Sequence, residues 1–183
     1  SGCTSTFTYT VKQNIIAPGA SATGDTLTCT ITSGTITGSS PTAGVSYAWS
    51  GPGGFSSNLQ NPPVTQTGAY TLTTTGSNGC TSAATIQVVP DVAIPQLNIT
   101  TGTITCTTAS IQLTALTNVP TVTWSWTGQG NFTSTQQNPT VSLPGNYTVV
   151  VTNTQNGCKN TKTGTVADDT QGPVVNVGTP NEL

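Results

Sequence analysis

Five cysteines are the residues of this sequence best suited to covalent chemistry, and they recur regularly. Cys29 and Cys106 stand 77 positions apart, Cys3 and Cys80 stand 77 apart, and Cys80 and Cys158 stand 78 apart. The remaining reactive groups are few. There is no His, and the three Lys and the five carboxylates (Asp25, Asp91, Asp168, Asp169 and Glu182) form no pair that recurs in both halves. Acid–base catalysis needs a titratable group poised at the reacting proton, and covalent catalysis needs a base beside its nucleophile. The sequence offers neither constellation, so it reads as a protein without catalysis. Without His or a closely spaced Cys pair, a zinc-type site is also excluded. Paired cysteines in small, charge-poor domains point instead to disulfides and an oxidising, extracellular location.

Those cysteines must be positioned by something, and composition says what. Of 183 residues 42 are Thr, only 4% are charged, and Val, Ile and Thr recur in alternating runs. Such a chain favours extended β structure over helix or disorder. Without basic clusters there is no nucleic-acid footprint. No run of 18 apolar residues exists, so no helical span is expected. No signal peptide is recognised. The opening at Ser1 without Met marks a processed protein or an excerpt.

The stretch "WSGPGGFSSNLQNP" from Trp49 to Pro62 returns as "WTGQGNFTSTQQNP" from Trp126 to Pro139. Phe55 and Phe132, and Gly68-Ala-Tyr70 and Gly145-Asn-Tyr147, keep the same offset; "NGCTSA" and "NGCKNT" then differ by one inserted residue. Self-similarity at a fixed period is the signature of repeated modules. The predicted layout is residues 1–13 as the last strand of a truncated preceding repeat, 14–91 and 92–169 as two complete repeats, and 170–183 as the first strand of a following one. The chain is thus expected to be an excerpt of a longer array. Each complete repeat owns two cysteines, so pairing of Cys29 with Cys80 and of Cys106 with Cys158 is expected. Cys3 would then pair with a residue outside the chain.

Within each repeat, "TLTCTIT", "VSYAWS", "AYTLTTT" and "TIQVV", with their second-copy counterparts, alternate in period two between turn-forming residues. This predicts all-β, antiparallel sandwich modules. Val122, Trp124 and Trp126 share one face of a strand, as do Val45, Tyr47 and Trp49. A wide apolar face is either core or an aromatic platform for sugar rings; core is the reading preferred, with Trp49, Trp126, Phe55, Phe132, Tyr70 and Tyr147 as core residues. The Gly-rich segments after each Trp are read as turns, because no helix follows to make them phosphate loops.

"NPTVSLPGNYTVVVTNTQNGCKN" resembles the polycystic-kidney-disease-like and immunoglobulin-like repeats of bacterial surface proteins. "WTGQGNFTSTQQNP" is similar to tandem repeats in very long secreted adhesins of Bacteroidota, including those of gliding species exported by the type IX system. The Asp of the usual Trp-x-Phe-Gly-Asp-Gly motif is missing at both sites. Relative to antibody-type domains the second Cys lies too far beyond the Tyr, so the bridge should tie the start of the last strand to an early strand. Links between neighbouring repeats or chains therefore stay open. The resemblance implies a structural module of a cell-surface adhesin, stalk or filament, with neighbouring repeats of one long chain, other copies and surface glycans as partners. A carbohydrate-binding module using Tyr47 or Trp124 is the alternative. Cadherin-like arrays hold calcium at junctions where Asp91, Asp168 and Asp169 stand here, a thin carboxylate set for an ion that takes six to eight oxygens. "DTL" at Asp25 resembles the O-glycosylation signal of Bacteroidota exported proteins, with Thr26 as acceptor. Asn98, Asn131 and Asn146 sit in N-glycan sequons.

Overall fold

The computed structural model describes residues 2–172. The chain forms two compact units: Ser1–Leu27 with Ile31–Asp91, and Thr28–Thr30 with Val92–Leu183.

In the first unit the strands are β1 (Ser21–Gly24), β2 (Leu27–Thr28), β3 (Gly34–Ser39), β4 (Ser46–Ser50), β5 (Ser56–Ser57), β6 (Pro63–Val64), β7 (Gly68–Thr75), β8 (Thr81–Val88) and β9 (Pro90–Asp91). One sheet runs β5-β4-β7-β8 and another β1-β3-β6. Alternation decides which side chains go inside: on β7, Tyr70, Leu72 and Thr74 are buried while their neighbours are not, the period-two signature of a half-buried strand. Both sheets contribute to one cluster of Leu27, Ile36, Trp49, Val64, Tyr70, Leu72 and Val88. Fully burying a residue such as Leu72 is worth about 2 kcal/mol.

The second unit contains β10 (Asn98–Thr100), β11 (Thr103–Thr105), β12 (Ile111–Gln112), β13 (Thr114–Leu116), β14 (Val122–Gly128), β15 (Phe132–Ser134), β16 (Thr140–Val141), β17 (Gly145–Asn153) and β18 (Lys159–Asp169). Its main sheet runs β11-β18-β17-β14-β15, faced by the pairs β10-β13 and β12-β16. The core gathers Leu97, Ile104, Leu113, Ala115, Trp126, Val141, Tyr147, Val149, Val151 and Val166.

Three features correct the sequence reading. The β11–β18 pair is parallel, with Thr103 opposite Ala167 and Thr105 opposite Asp169, although antiparallel pairing was expected throughout. The run "TLTCTIT" is a strand only at Leu27–Thr28, and Cys29 lies in a bend beyond it. Residues 2–13, expected as a last strand, form no strand and are exposed, with Phe7 and Tyr9 at 89% and 78% exposure. A lone segment has no ladder to satisfy its backbone groups and no face to bury its side chains. The strand expected over 170–183 lies outside the described residues, except for 170–172, which form none.

Candidate functional site

The twice-used Trp-to-Pro motif is the most elaborate local feature of each unit, and its parts touch one another. On β4, Trp49 is buried opposite Leu72 of β7. Its indole Nε1–H donates to the Gln60 carbonyl at 3.3 Å, which also accepts from Gly38 N–H at 3.0 Å. The Gln60 side chain returns a bond from Nε2 to Gly38 O at 2.9 Å. Gln-Asn-Pro is therefore an edge clip on β3. In the second unit Gln137 Nε2 donates to Ala115 O at 2.7 Å, and Asn138 Oδ1 accepts from Ala115 N–H at 3.0 Å. There Trp126, opposite Val149 of β17, is equally buried but its Nε1 has no hydrogen-bond partner.

Tyrosine and glycine complete the motif. Tyr70 Oη donates to Gln66 O, and Tyr147 Oη to Leu143 O, both at 2.8 Å and four residues upstream. This is the corner bond of sandwich folds, which anchors the turn entering a strand. Burial raises the Tyr147 pKa above its ordinary 10.0. Gly51 and Gly128 lie directly under these rings: a Cβ there would collide with Tyr70 and Tyr147 respectively. Phe55 meets Tyr70 edge-to-face at 5.2 Å between ring centroids, and Phe132 meets Tyr147 at 5.5 Å. Both Phe residues are half-buried against the core clusters. The intervening turns place Gly53 and Gly130 at φ of 63° and 64°, a left-handed conformation that glycine takes without strain. A shallow depression recurs here, lined by Pro52, Phe55, Gln66 and Tyr70 in one unit and by Gln129, Phe132, Leu143 and Tyr147 in the other. Tyr47 and Trp124 are half-buried and pack on their respective cores.

The cysteines are arranged otherwise than expected. Cys29 is bonded to Cys158, with Cα atoms 5.1 Å apart, and Cys3, Cys80 and Cys106 are free thiols. Both bonded residues belong to the second unit, because residues Thr28–Thr30 pack there. The expected pairings, Cys29 with Cys80 and Cys106 with Cys158, are not formed, and strand geometry explains why. Cys158 directly precedes β18, whereas Cys106 directly follows β11, which runs parallel to the far end of β18. Eleven strand residues separate the two ends, about 35 Å at ~3.3 Å per residue. A disulfide needs Cα atoms within about 7 Å. The first unit repeats this plan, since Leu27 N–H donates to Val89 O at the end of β8 while Cys80 precedes its start.

Other candidate residues are on the surface. Thr26, Asn98, Asn131 and Asn146 are exposed, and Asn146 Oδ1 accepts from Thr165 Oγ1 at 2.8 Å. Asp91 ends β9, and Asp168 and Asp169 end β18; Asp168 Oδ1 accepts from both the backbone and the hydroxyl of Thr170. Among the described residues no three His, Cys, Asp or Glu side chains gather into a metal-binding group, and no helix is long and apolar enough to cross a membrane.

No protein-family model and no curated protein sequence matches the chain. Solved structures do. A Ca2+-stabilised adhesin that helps an Antarctic bacterium reach out and bind ice superposes with a TM-score of 0.55 at 14% identity, covering 90% of this chain and 52% of that one. The modules here are all-β sandwiches, the fold that this likeness supports. This chain spans about half of the bacterial adhesin chain. Lower similarity is found to Drosophila OTK extracellular domains 3–5, at TM-score 0.40, 15% identity and coverage of 81% and 60%. Murine CEACAM1b gives TM-score 0.36 at 13% identity, with coverage of 74% and 92%.

Proposed function

We propose that the chain is a structural segment of an extracellular adhesin, stalk or filament, built from tandem immunoglobulin-like modules and without catalytic activity. One observation carries this reading: the motif that recurs in both halves is spent on internal scaffolding, through Trp49 and Gln60, Gln137 and Ala115, and the two tyrosine corners. A repeated motif used to build the module, rather than to present a reactive group, suits a mechanical role. The bacterial adhesin of similar fold supports an adhesive setting. Low charge fits the same role, because neutral Thr- and Ser-rich surfaces approach one another without strong self-repulsion. The repeat boundaries at 14–91 and 92–169, and membership of a long Bacteroidota-type secreted array, belong to this proposal, as do neighbouring repeats, other copies and surface glycans as partners.

The test is location and size of the native material. Antibodies raised against the chain should label intact, unpermeabilised cells. Reducing, denaturing electrophoresis should show a species far larger than 18.5 kDa. Labelling only after lysis would overturn the extracellular reading, and a band at the chain's own mass would overturn the long array.

The carbohydrate-binding alternative rests on Tyr47 and Trp124, whose rings are half covered by packing on the cores. A glycan array decides it: binding abolished by Trp124→Ala in a folded protein would favour that reading. Calcium is a secondary proposal at Asp91, Asp168 and Asp169, and a melting temperature unchanged between millimolar calcium and chelator would remove it.

A further inference from the structure

The free thiols are not scattered. Two of the three, Cys80 and Cys106, each sit in a copy of one of the two loops that make the existing bridge. Cys158 lies in an Asn-Gly-Cys loop in which Asn156 Oδ1 accepts Cys158 N–H at 3.0 Å and Asn156 Nδ2 donates to Ala93 O at 3.1 Å. Cys80 lies in the same loop, with Asn78 Oδ1 accepting Cys80 N–H at 3.0 Å and Asn78 Nδ2 donating to Ile16 O at 3.0 Å. The glycines match too, with φ of 78° at Gly79 and 71° at Gly157. On the other side, Cys29 sits between Thr28 and Thr30, whose hydroxyls lie 3.3 Å apart, and Cys106 sits between Thr105 and Thr107, whose hydroxyls lie 3.1 Å apart.

What differs is cover. In the second unit the Thr28–Thr30 turn lies on the Asn-Gly-Cys loop: Cys29 N–H donates to Asn156 O at 3.1 Å, and a Cβ on Gly157 would collide with the Thr30 side chain. Asn156 and Cys158 are each only 1% exposed beneath it. In the first unit Asn78 and Gly79 are exposed, Cys80 is half-buried, and a Cβ on Gly79 would meet nothing within 4 Å. The same loop is built there and left open where a threonine turn would lie.

We propose that the Asn78–Cys80 loop is the receiving half of a directional joint, and that its occupant is the Thr105–Thr107 turn of a second copy, with Cys106 bonding to Cys80. The turn and the loop are different surfaces, so each joint is a heterologous contact between copies. Heterologous contacts of this kind build rings or open filaments. The joint rests on the reading of the chain as a segment that assembles with other copies, since a preceding repeat of one long chain would bring its own threonine turn to this loop. The chemistry is thiol–disulfide exchange with a small-molecule disulfide. The Cys106 thiolate attacks that disulfide and releases one small thiol. The Cys80 thiolate then attacks the mixed disulfide and releases the second. The small disulfide is thereby reduced to two thiols, and one protein S–S bond forms.

The experiment uses two chains, both carrying Cys3→Ser to remove the third thiol. One also carries Cys80→Ser and keeps Cys106; the other carries Cys106→Ser and keeps Cys80. Each is incubated with oxidised glutathione alone and in equimolar mixture, then resolved without reductant. The mixture should yield a covalent dimer in about tenfold excess over either chain alone, since docking raises the effective concentration of only one thiol pair. Peptide mapping of that dimer should find Cys106 joined to Cys80. Equal yields from the separate chains would show undirected oxidation, and no dimer in the mixture would show that the loop receives no second copy. Either result overturns the proposal, while leaving the extracellular reading to its own labelling test.

Discussion

Trp49 donates its indole N–H to the Gln60 carbonyl at 3.3 Å, and the same atom of Trp126 has no partner at all. Two tryptophans at matching positions, equally buried at 2% and 1% exposure, thus differ in one hydrogen bond. The origin is local: Asn138 Oδ1, not a Gln carbonyl, takes the facing Ala115 N–H in the second unit.

Trp49→Phe should therefore destabilise its unit more than Trp126→Phe does, by about 1 kcal/mol. The first change loses a bond, whereas the second removes a buried donor that bonds nothing. Truncation to Ala at either site should cost about 3–5 kcal/mol, falling on the unit that contains it. Urea unfolding followed by each remaining indole's fluorescence checks both, and equal costs for the two Phe variants would contradict the first.

Gly51→Ala and Gly128→Ala should each destabilise by roughly 1–3 kcal/mol, as overpacking does. The added methyl meets a Tyr ring that its corner bond and its Phe neighbour hold in place. Gly44→Ala is a poor control, because its φ of 73° is strained for alanine. Gly2→Ala, with nothing within 4 Å, is a better one and should be neutral by thermal melting.

Tyr147 makes stability pH-dependent on the alkaline side. Its folded pKa is raised above the ordinary 10.0, chiefly by burial. Between the unfolded and folded values the native state holds a proton that the unfolded chain has lost, so stability falls as pH rises. The contribution is intact below pH 10 and declines above it. Tyr147→Phe should flatten that decline in denaturant midpoints measured from pH 9 to 11.5, at a neutral-pH cost of about 1 kcal/mol for the lost bond. An undiminished slope in the variant would contradict this.

Non-reducing peptide maps of the oxidised chain should recover Cys29 joined to Cys158, with Cys3, Cys80 and Cys106 open to alkylation. Cys158→Ser should lower stability by roughly 2–5 kcal/mol, the range for losing a bridge across a long loop. Recovery of a Cys29–Cys80 or Cys106–Cys158 peptide would refute the assigned connectivity.

Much of the fold is legible in the sequence because its causes are local. Alternation along Gly68–Thr75 and Gly145–Asn153 decides which side chains go inward, and glycines in the turns after Trp49 and Trp126 permit conformations that other residues resist. The same spacing marks Trp49, Trp126, Tyr70 and Tyr147 as core, and all four are buried. What the glycines at 51 and 128 are for cannot be read this way, since the ring covering each belongs to a strand far along the chain. Cysteine pairing is the clearest case. Sequence spacing places two cysteines in each repeat and suggests that they meet. Only the parallel register of β11 on β18 decides that they stand at opposite ends of an 11-residue strand. A disulfide closes over a few ångströms, so which cysteines bond is set by which chain ends the folded sheets bring together, a distance that no one-dimensional spacing contains.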